Sequence, residues 1–361
     1  MLSRRTIVAS GLSVAGLGAV GYGLWPRLND YNEEVTRQRH LLSADPDLEG
    51  LVRMASLAAN SHNTQPWKFR LSEGRVTILP DFTRRTDVVD PDAHHLYVSI
   101  GCAAENLIIA AKANGRAADP TIEAGDETLI SISLENGPLE DTPLYEAIPL
   151  RQSTRSDYDG QPISKSDINL MKAAAREEGV SVLIFTEASE REAILELVVE
   201  GNSVQMDDPA FVAELRDWIR LTPDHALATH DGLFSATSGM PVMSAWIAGR
   251  LFDAFFQKDG ENDKYRSQIR SSFGVAVFVG EKEDPEHWIK VGRSFQRFAL
   301  QSTALGIRNA HINQPIEVPA VRPEFASWLG LPDVRPDLIV RFGRALALPM
   351  SLRRPVVEII V

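Results

Sequence analysis

Apolar residues recur with two different periods along this 361-residue chain, and the periods predict a mixture of helices and strands. Helical spacing covers residues 47–59 and 92–114, and Gly115 is placed to end the second helix. Alternating apolar residues predict strands over 68–71, 76–79, 121–123 and 128–134. The first part of the chain is therefore expected to combine helices with a sheet.

A segment rich in glycine, proline and aspartate, residues 137–143, separates this part from a second one with the same mixture of periods. There we predict helices over about 164–179, 188–200, 209–220 and 284–305, and strands over 180–186, 273–280, 338–342 and 355–361. Residues 221–270 show no clear period and are expected to be irregular. Their apolar section, residues 240–256, would pack as a lid or dimer helix or, alternatively, lie on a membrane surface.

The two parts share a weak internal repeat. Gly101 to Gly115 and Gly292 to Gly306 have the same spacing, and each segment follows an aspartate and a histidine. Two interpretations are open: two ordinary core helices that end at a glycine, or two structurally related halves. Length alone suggests two to three domains of about 150 residues each. Two related halves would instead form one structural unit, so the choice between the interpretations affects the domain count.

The N-terminus has the pattern of an export signal rather than of a folded element. Ser3-Arg4-Arg5 precedes an apolar, glycine-rich stretch, and no charged residue lies between Arg5 and Arg27. The arginine pair resembles a twin-arginine signal, which directs export of proteins that have already folded. An uncleaved anchor and a cytoplasmic protein with a misleading start are the alternatives.

Residues 16–21 match G-x-G-x-x-G, but no second strand follows, which disfavours a dinucleotide site.

Composition excludes several classes of function. The chain has 37 Lys and Arg against 49 Asp and Glu, and this net charge of −12 disfavours nucleic acid as the main partner. Cys102 is the one cysteine, which excludes an intrachain disulfide and any multi-thiolate metal site; its expected role is packing. No G-x-S-x-G, H-E-x-x-H or P-loop motif occurs, so hydrolase and NTPase chemistry have no support.

A dense polar loop stands between the first predicted helix and the first strand. Residues 60–67 (NSHNTQPW) contain three amides, two hydroxyls and a tryptophan that can anchor the loop in the core. Such a loop suits a planar heterocycle with donors and acceptors along one edge. From the residues alone, an Asx-rich turn that caps its own backbone is an equal alternative.

Two arginine clusters in the second part are candidate anion sites. In an extended segment, Arg151, Ser153 and Arg155 point to one side, which fits a phosphate or a polyol chain. Arg353 and Arg354 precede the last predicted strand and form a further basic element. A solvated basic patch on an acidic protein is the alternative interpretation.

A third cluster has the residue types of a metal site. Asp90, Asp92, His94 and His95 lie close together in sequence and could hold Zn²⁺. We favour an acidic helix N-terminus with histidines in its first turn, and we expect no metal.

Taken in order, several segments resemble the FMN-dependent nitroreductase family, in particular its single-chain, fused-dimer, Acg-like branch. Residues 61–67 are similar to the family's P-S-x-x-N-x-Q-P-W segment, and residues 151–155 to its R-R-S-x-R segment. Further similarities lie at residues 99–107, 305–317, 341–344 and 351–355. The resemblance covers residues 45–361, with Asn60 replacing a small hydroxyl residue and Gln152 replacing the second arginine.

The resemblance implies an α+β nitroreductase-like fold in which two related halves form an intrachain pseudo-dimer. Residues 1–27 would be the twin-arginine signal or anchor, 28–45 a linker, 46–150 the first half and 151–361 the second half, with a lid at about 221–270. Because each cofactor-binding segment occurs once, we expect one complete FMN site and one decayed site per chain.

The resemblance also implies the site and the reaction. By position, the FMN-binding residues would be Asn60, Ser61, Asn63, Gln65, Arg151, Ser153, Arg155, Arg353 and Arg354, with His311 to Gln314 near flavin N5. No side chain would be catalytic, because the flavin carries the chemistry. The expected function is electron transfer from NAD(P)H through FMN to a nitro, quinone or similar acceptor. The alternative is a catalytically quiet protein that sequesters FMN under its lid.

The expected partners follow from the same two features. They are a small-molecule electron acceptor and the twin-arginine export machinery. The protein would be periplasmic or anchored in the inner membrane, and it would be a monomeric pseudo-dimer.

Overall fold

The computed structural model describes residues 27–43, 45–125, 127–140, 142–240, 242 and 256–361. The predicted export signal and most of the apolar section at 240–256 lie outside the described residues. The strands are β1 (Trp67–Ser72), β2 (Arg75–Pro80), β3 (Arg116–Glu123), β4 (Leu129–Asn136), β5 (Val180–Phe185), β6 (Ile219–Arg220), β7 (Leu233–Phe234), β8 (Gly274–Gly280), β9 (Arg308–His311) and β10 (Leu338–Gly343).

Helices are interspersed with these strands along the chain. They are α1 (27–38), α2 (Leu48–Ser56), α3 (His94–Ala113), α4 (Pro143–Ala147), α5 (Lys165–Ala174), α6 (Ala188–Asp207), α7 (Pro209–Trp218), α8 (Pro223–Thr229), α9 (Lys258–Arg270), α10 (Pro285–Ala304), α11 (Gln314–Glu317), α12 (Arg322–Trp328) and α13 (Val356–Ile359).

Two four-stranded antiparallel sheets are each covered by one long helix. The strand order is β1-β2-β4-β3 in the first sheet and β5-β8-β10-β9 in the second. Helix α3 packs on the first sheet and α10 on the second. Although α3 is long and apolar enough to cross a membrane, it is almost entirely buried in the core. Pro120 lies in the edge strand β3, where its missing N–H is tolerated.

The two halves meet where α3 crosses α10 through a reciprocal pair of glycines. A Cβ atom on Gly101 would overlap the carbonyl oxygen of Ile289, and one on Gly292 would overlap that of Val98. Gly101 and Gly292 are counterparts in the sequence repeat, and so are Val98 and Ile289, one turn earlier. A contact in which each half offers the same residues to the other is the contact of a two-fold dimer.

The crossing decides between the two interpretations of the repeat. Gly115 and Gly306, at the ends of the two repeated segments, both adopt left-handed backbone angles, with φ of 74° and 69°. They therefore end their helices as expected. Because the halves are also related to each other, the α+β fold with an intrachain pseudo-dimer is confirmed.

A buried histidine–aspartate contact also joins the halves. Nε2 of His94, at the start of α3, lies 2.8 Å from Oδ1 of Asp337, just before β10, and Oδ2 accepts the N–H of Gly280 at 2.6 Å. Burial raises the pKa of Asp337 to about 7, and burial lowers the pKa of His94 well below its usual value. Both shifts favour the uncharged forms of the two side chains.

Several sequence predictions about elements are wrong, among them the irregular structure expected for 221–270, which contains helices α8 and α9. Residues 355–361 are not a strand: they form the short helix α13, after which Val361 donates its N–H to Phe69 at the edge of β1. The helix predicted to reach residue 179 ends at Ala174, because side chains of α10 bind the backbone carbonyls of residues 174–176.

The hydrophobic pattern does not predict helix α9, because polar side chains make its contacts with α6. Nδ2 of Asn202 donates to Oδ1 of Asn262 at 2.7 Å, and Nδ2 of Asn262 donates to Oγ of Ser203 at 3.0 Å. Packing of α9 on α6 through amides and hydroxyls leaves no apolar period for sequence analysis to detect.

We expect Gly101→Ala and Gly292→Ala each to lower the free energy of unfolding by about 3 kcal/mol, since neither backbone can move away without separating the halves. Gly260→Ala is the matched control. Gly260 lies in α9, and beyond its own helix backbone no described residue has an atom within 4 Å of the position that a Cβ atom would take there. Alanine should therefore raise the free energy of unfolding by about 0.5–1 kcal/mol. Urea unfolding of the three variants checks this; equal stability of Gly101→Ala and the parent chain would contradict it.

We expect Asp337→Asn to change how stability depends on pH. A carboxyl group whose folded pKa lies above its unfolded value stabilises the fold at low pH, and this contribution is lost as pH rises from about 4 to about 7. Asparagine can keep both hydrogen bonds but cannot ionise. The stability of the variant relative to the parent should therefore increase from pH 5 to pH 8 in urea unfolding, and a constant difference would refute the raised pKa.

Candidate functional site

Two adjoining cavities lie between the halves and contain most of the predicted site residues. The larger has a volume of about 210 Å³ and the smaller about 40 Å³. Ala59, Asn60, Arg155 and Leu233 line both, so the cavities share a wall. The smaller is lined mainly by charged and polar groups, whereas the larger is lined by both polar and apolar side chains.

The polar loop of residues 60–67 is held in a conformation that costs energy. His62, Asn63 and Gln65 have φ of 46°, 55° and 53°, in the left-handed region that non-glycine residues rarely adopt. Oδ1 of Asn60 accepts the N–H of Gln65 at 2.9 Å, and the buried Trp67 begins β1. Such strain persists only where surrounding structure enforces it, and it is concentrated at functional sites.

The side chains of this loop have two different roles. Asn60 and Ser61 line the larger cavity. Asn63 faces the smaller cavity, but its Nδ2 donates to the carbonyl oxygens of Gly232 and Leu352, and its Oδ1 accepts from Arg353.

Gln65 and Arg354 are not among the described residues that line either cavity. The amide of Gln65 donates to the carbonyl of His230 and accepts the N–H of Arg354. The guanidinium of Arg354 faces Glu358 and Asp81. These two residues therefore fasten the loop to the chain around it.

The segment 151–155 is positioned by β9. Ser153 bridges to Asn309, and the N–H of Thr154 donates to the carbonyl of Asn309 at 2.9 Å. This pairing places Arg151 and Ser153 at the smaller cavity and Arg155 between the two cavities. Within the described residues, the guanidinium of Arg155 has no hydrogen-bond partner, although burial lowers its pKa. It is therefore available to a ligand.

The smaller cavity concentrates positive charge. Arg39, Arg151, Arg155 and Arg353 line it, and none of the described residues that line it is acidic. Arg151 and Arg353 are 3% and 4% exposed and donate to backbone carbonyls, among them that of Leu57. Burial lowers the pKa of Arg151 to about 10 and that of Arg353 well below its ordinary value. Buried guanidiniums without a carboxylate are stabilised by a bound anion.

The larger cavity is lined by both polar and apolar side chains. The polar ones include His62, His95, His311, Asn313, Gln314 and Glu317. Burial and the charge of Arg155 lower the pKa of His62 to about 4 and that of His311 to about 3, so both are neutral at pH 7. The apolar ones include Phe211, Leu215, Ile219, Leu233, Met240 and Phe256. A flat ring system with a polar edge matches such a mixed lining.

Part of the predicted lid lines the larger cavity, and an ion-pair cluster holds this segment in place. Asp231 contacts both Arg84 and Arg220, with 2.7 Å between Oδ1 and Nη2 of Arg220. Burial alone would raise the pKa of Asp231, but the hydrogen bonds from the two arginines lower it overall. The adjacent Gly232 donates its N–H to the carbonyl of Asn63. The predicted lid is thus bound directly to the strained loop.

An ion-pair quartet lies beside the crossing of α3 and α10. Glu105 and Glu177 alternate with Arg293 and Arg297, with nitrogen–oxygen distances from 2.5 to 3.0 Å. Arg293 is the repeat counterpart of Cys102, a buried thiol that lines the larger cavity. One half therefore has a charged side chain, paired with two glutamates, at the position where the other half borders the cavity.

Asp90, His94 and His95, at the start of α3, take part in helix capping and in the contact between the halves. The donor atoms of Asp90, His94 and His95 lie within 4.8 Å of one another. However, the two carboxylate oxygens of Asp90 accept the N–H groups of His95 and Leu96, and Nε2 of His94 contacts Asp337. Asp90 thus caps the helix, in agreement with the interpretation favoured from the sequence.

Sequence analysis missed several residues at the cavities. Arg39 lies in the segment expected to be a linker, His62 and Glu317 were not singled out, and His95 was considered only as a metal ligand. A partly buried Glu317, whose pKa burial raises, lies 3.8 Å from His95. The sequence offered one signal for these residues: histidines occur in the segments 60–67, 90–95 and 308–314. These segments are far apart in sequence, and only the fold brings them together.

We expect Asp231→Asn to loosen the lid, because it leaves Arg84 and Arg220 without their shared carboxylate. Amide hydrogen exchange of residues 219–240 should accelerate by about tenfold or more. Asp224→Asn is the control: Asp224 makes an exposed ion pair with Arg27 that contributes little. Equal exchange rates in the two variants would show that the cluster does not hold the lid.

No protein-family model matches the chain. It is 25% identical over 341 residues to "Putative NAD(P)H nitroreductase Rv3131" of Mycobacterium tuberculosis, covering 87% of this chain and 92% of the relative. It is 21% identical over 329 residues to "Putative NAD(P)H nitroreductase acg" of the same organism, covering 86% and 94%. With such relatives along most of its length, the nitroreductase-like fold is confirmed.

Solved structures are similar over part of the chain. A nitroreductase with bound FMN from Bacteroides fragilis is 17% identical with a TM-score of 0.37, and the match covers 59% of this chain and 96% of that one. The FMN-dependent nitroreductase NfnB from Mycobacterium smegmatis, in complex with NADPH, is 13% identical with a TM-score of 0.41, and the match covers 60% and 96%.

Proposed function

We propose that this protein is an FMN-dependent oxidoreductase of the nitroreductase type, with one FMN site per chain. The observation that carries the proposal is the pairing of two adjoining cavities with different chemistry. The smaller, with its arginines and no acidic residue among those described, fits a phosphate. The larger, which both polar and apolar side chains line, fits the isoalloxazine ring.

The predicted site residues take different roles in this proposal. Arg151, Ser153 and Arg353 would hold the phosphate and the ribityl chain, and Asn60 and Ser61 would contact the ring. The remaining predicted residues, Asn63, Gln65 and Arg354, would act by positioning the loop and the C-terminal tail.

FMN, when bound, supplies transfer of two electrons from NAD(P)H to an acceptor such as a nitro compound or a quinone. The contribution of this chain is position and charge. Arg155, between the cavities and without a protein partner among the described residues, would stabilise negative charge on the reduced ring system. His62 and His311, neutral at pH 7, can donate or accept one hydrogen bond each without adding charge.

A second function, flavin sequestration, is favoured by the lid. The Asp231 cluster and the contacts of Asn63 and Gln65 hold the lid over the larger cavity. A substrate would need this cover to move before it could reach the ring. If it does not move, the protein would retain FMN without turning it over.

The export route and the domain limits belong to the same proposal. The Ser3-Arg4-Arg5 sequence supports twin-arginine export, after which the protein would be periplasmic or anchored in the inner membrane. A cofactor held inside a folded chain is the kind of cargo that this route carries. The proposed halves are 46–150 and 151–361, which together supply one site, so a monomer is sufficient.

We expect the purified protein to bind about one FMN per chain, and Arg155→Met to weaken FMN binding by about tenfold or more, because a charged hydrogen bond to the ligand is lost. Arg70→Met is the control, since Arg70 is exposed and lines neither cavity. Flavin fluorescence titration measures both. A parent protein that ignores added FMN would refute the proposal.

Anaerobic mixing of the FMN-loaded protein with NADPH or NADH separates the two functions. Rapid bleaching of the flavin absorbance supports the oxidoreductase, and no bleaching supports sequestration. In the second case, bleaching of loaded Asp231→Asn would identify the lid as the cause.

A further inference from the structure

The N-terminal helix α1 is fastened to the walls of the smaller cavity. The ring of Tyr31, which is 1% exposed, lies 4.6 Å from that of Phe234 in the lid, and its hydroxyl donates to the carbonyl of Met350 at 2.6 Å. The amide of Gln38 accepts the N–H of Arg353 and donates to its carbonyl. Helix α1 therefore fixes the tail that presents Arg353.

Arg39 follows this helix and reaches the smaller cavity itself. Its Nη1 donates to the carbonyls of Pro149 at 3.0 Å and Arg151 at 3.4 Å, and its Nη2 donates to that of Ser351 at 3.2 Å. Its Nε is buried and has no partner among the described residues. Neutral carbonyls orient the guanidinium but do not balance its charge.

Three guanidiniums that repel one another share this small space. The charge of Arg151 lowers the pKa of Arg39, after burial, to about 9, and Arg39 and Arg151 both lower that of Arg353. Nε of Arg151 is also buried and has no hydrogen-bond partner among the described residues. Within the described part of the chain, no carboxylate forms an ion pair with any of the three. Such an arrangement is stabilised by a ligand that carries two negative charges.

We propose that Arg39 binds the phosphate of the flavin, and that α1 is part of the cofactor site rather than a linker. The inference rests on the proposed FMN site and deepens it. A phosphate monoester carries close to two negative charges at pH 7, so a third arginine would favour FMN over riboflavin, which lacks the phosphate. Because α1 also holds Arg353, phosphate binding and docking of α1 would strengthen each other.

A purely structural Arg39 would behave differently. If it only joined Pro149, Arg151 and Ser351 to α1, its loss would destabilise the site for any flavin. A phosphate ligand role predicts a selective effect on FMN. The ratio of the two dissociation constants, for riboflavin and for FMN, therefore separates the roles.

The test compares Arg39→Met with Arg37→Met in flavin fluorescence titrations. Arg37 lies in α1, two residues before Arg39; its side chain is 72% exposed and pairs with Glu34, so the substitution should have no effect. We expect Arg39→Met to weaken FMN binding by about tenfold or more and riboflavin binding by less than about threefold. Arg39→Lys, which keeps the charge, should lie between the parent and Arg39→Met.

Equal weakening for both flavins, or no weakening of FMN, would overturn the role of Arg39. If Arg39→Met does not fold, Arg39→Lys against Arg37→Met provides the same comparison. Failure of the proposed function has another signature: the parent chain would bind neither flavin. In that case, melting temperatures with and without inorganic phosphate test whether Arg39 binds an anion. Phosphate should raise the melting temperature of the parent and of Arg37→Met but not of Arg39→Met. The same increase in all three proteins would overturn the inference.

Discussion

The close crossing of α3 and α10 is the contact on which the rest of the structure depends. Gly101 and Gly292 let the two backbones touch, which brings buried side chains of both helices within reach of the cavity loop. Gln296 of α10 donates to Asn106 of α3 at 2.6 Å, and its Oε1 accepts the N–H of Ala59 at 3.3 Å. A wider crossing would break this chain of hydrogen bonds and release the loop that lines both cavities.

A fused chain can change one half without changing the other, and this protein has done so beside the crossing. In a symmetric dimer each substitution appears twice, so two identical sites would be kept or lost together. Here the side of Cys102 keeps a cavity, while the side of its counterpart Arg293 is filled by ion pairs with Glu105 and Glu177. The filled side stabilises the contact between the halves, and the open side keeps the space that a ligand needs.

Sequence analysis could predict what local chemistry determines. Helix α3 and the strands β1 and β2 follow from apolar periods, and the segment 151–155 from residues that share one side. Helix α9 could not be found, because its packing face is polar. Arg39 could not be assigned either: its segment is hydrophilic, and its role arises only when the C-terminal tail, far away in sequence, folds beside it.

The arginine cluster and the strained loop lower the stability of the folded protein when no ligand offsets them, and this loss of stability points to a function. Buried like charges lower stability, as do left-handed backbone angles at His62 and Asn63. A chain selected for stability alone would place neutral residues there. Both features lie at the cavities, where a bound anion would offset the charge and a bound ring would use the exposed edge of the loop. Destabilising features are thus concentrated at the cavities, as is expected of residues kept for a function rather than for packing.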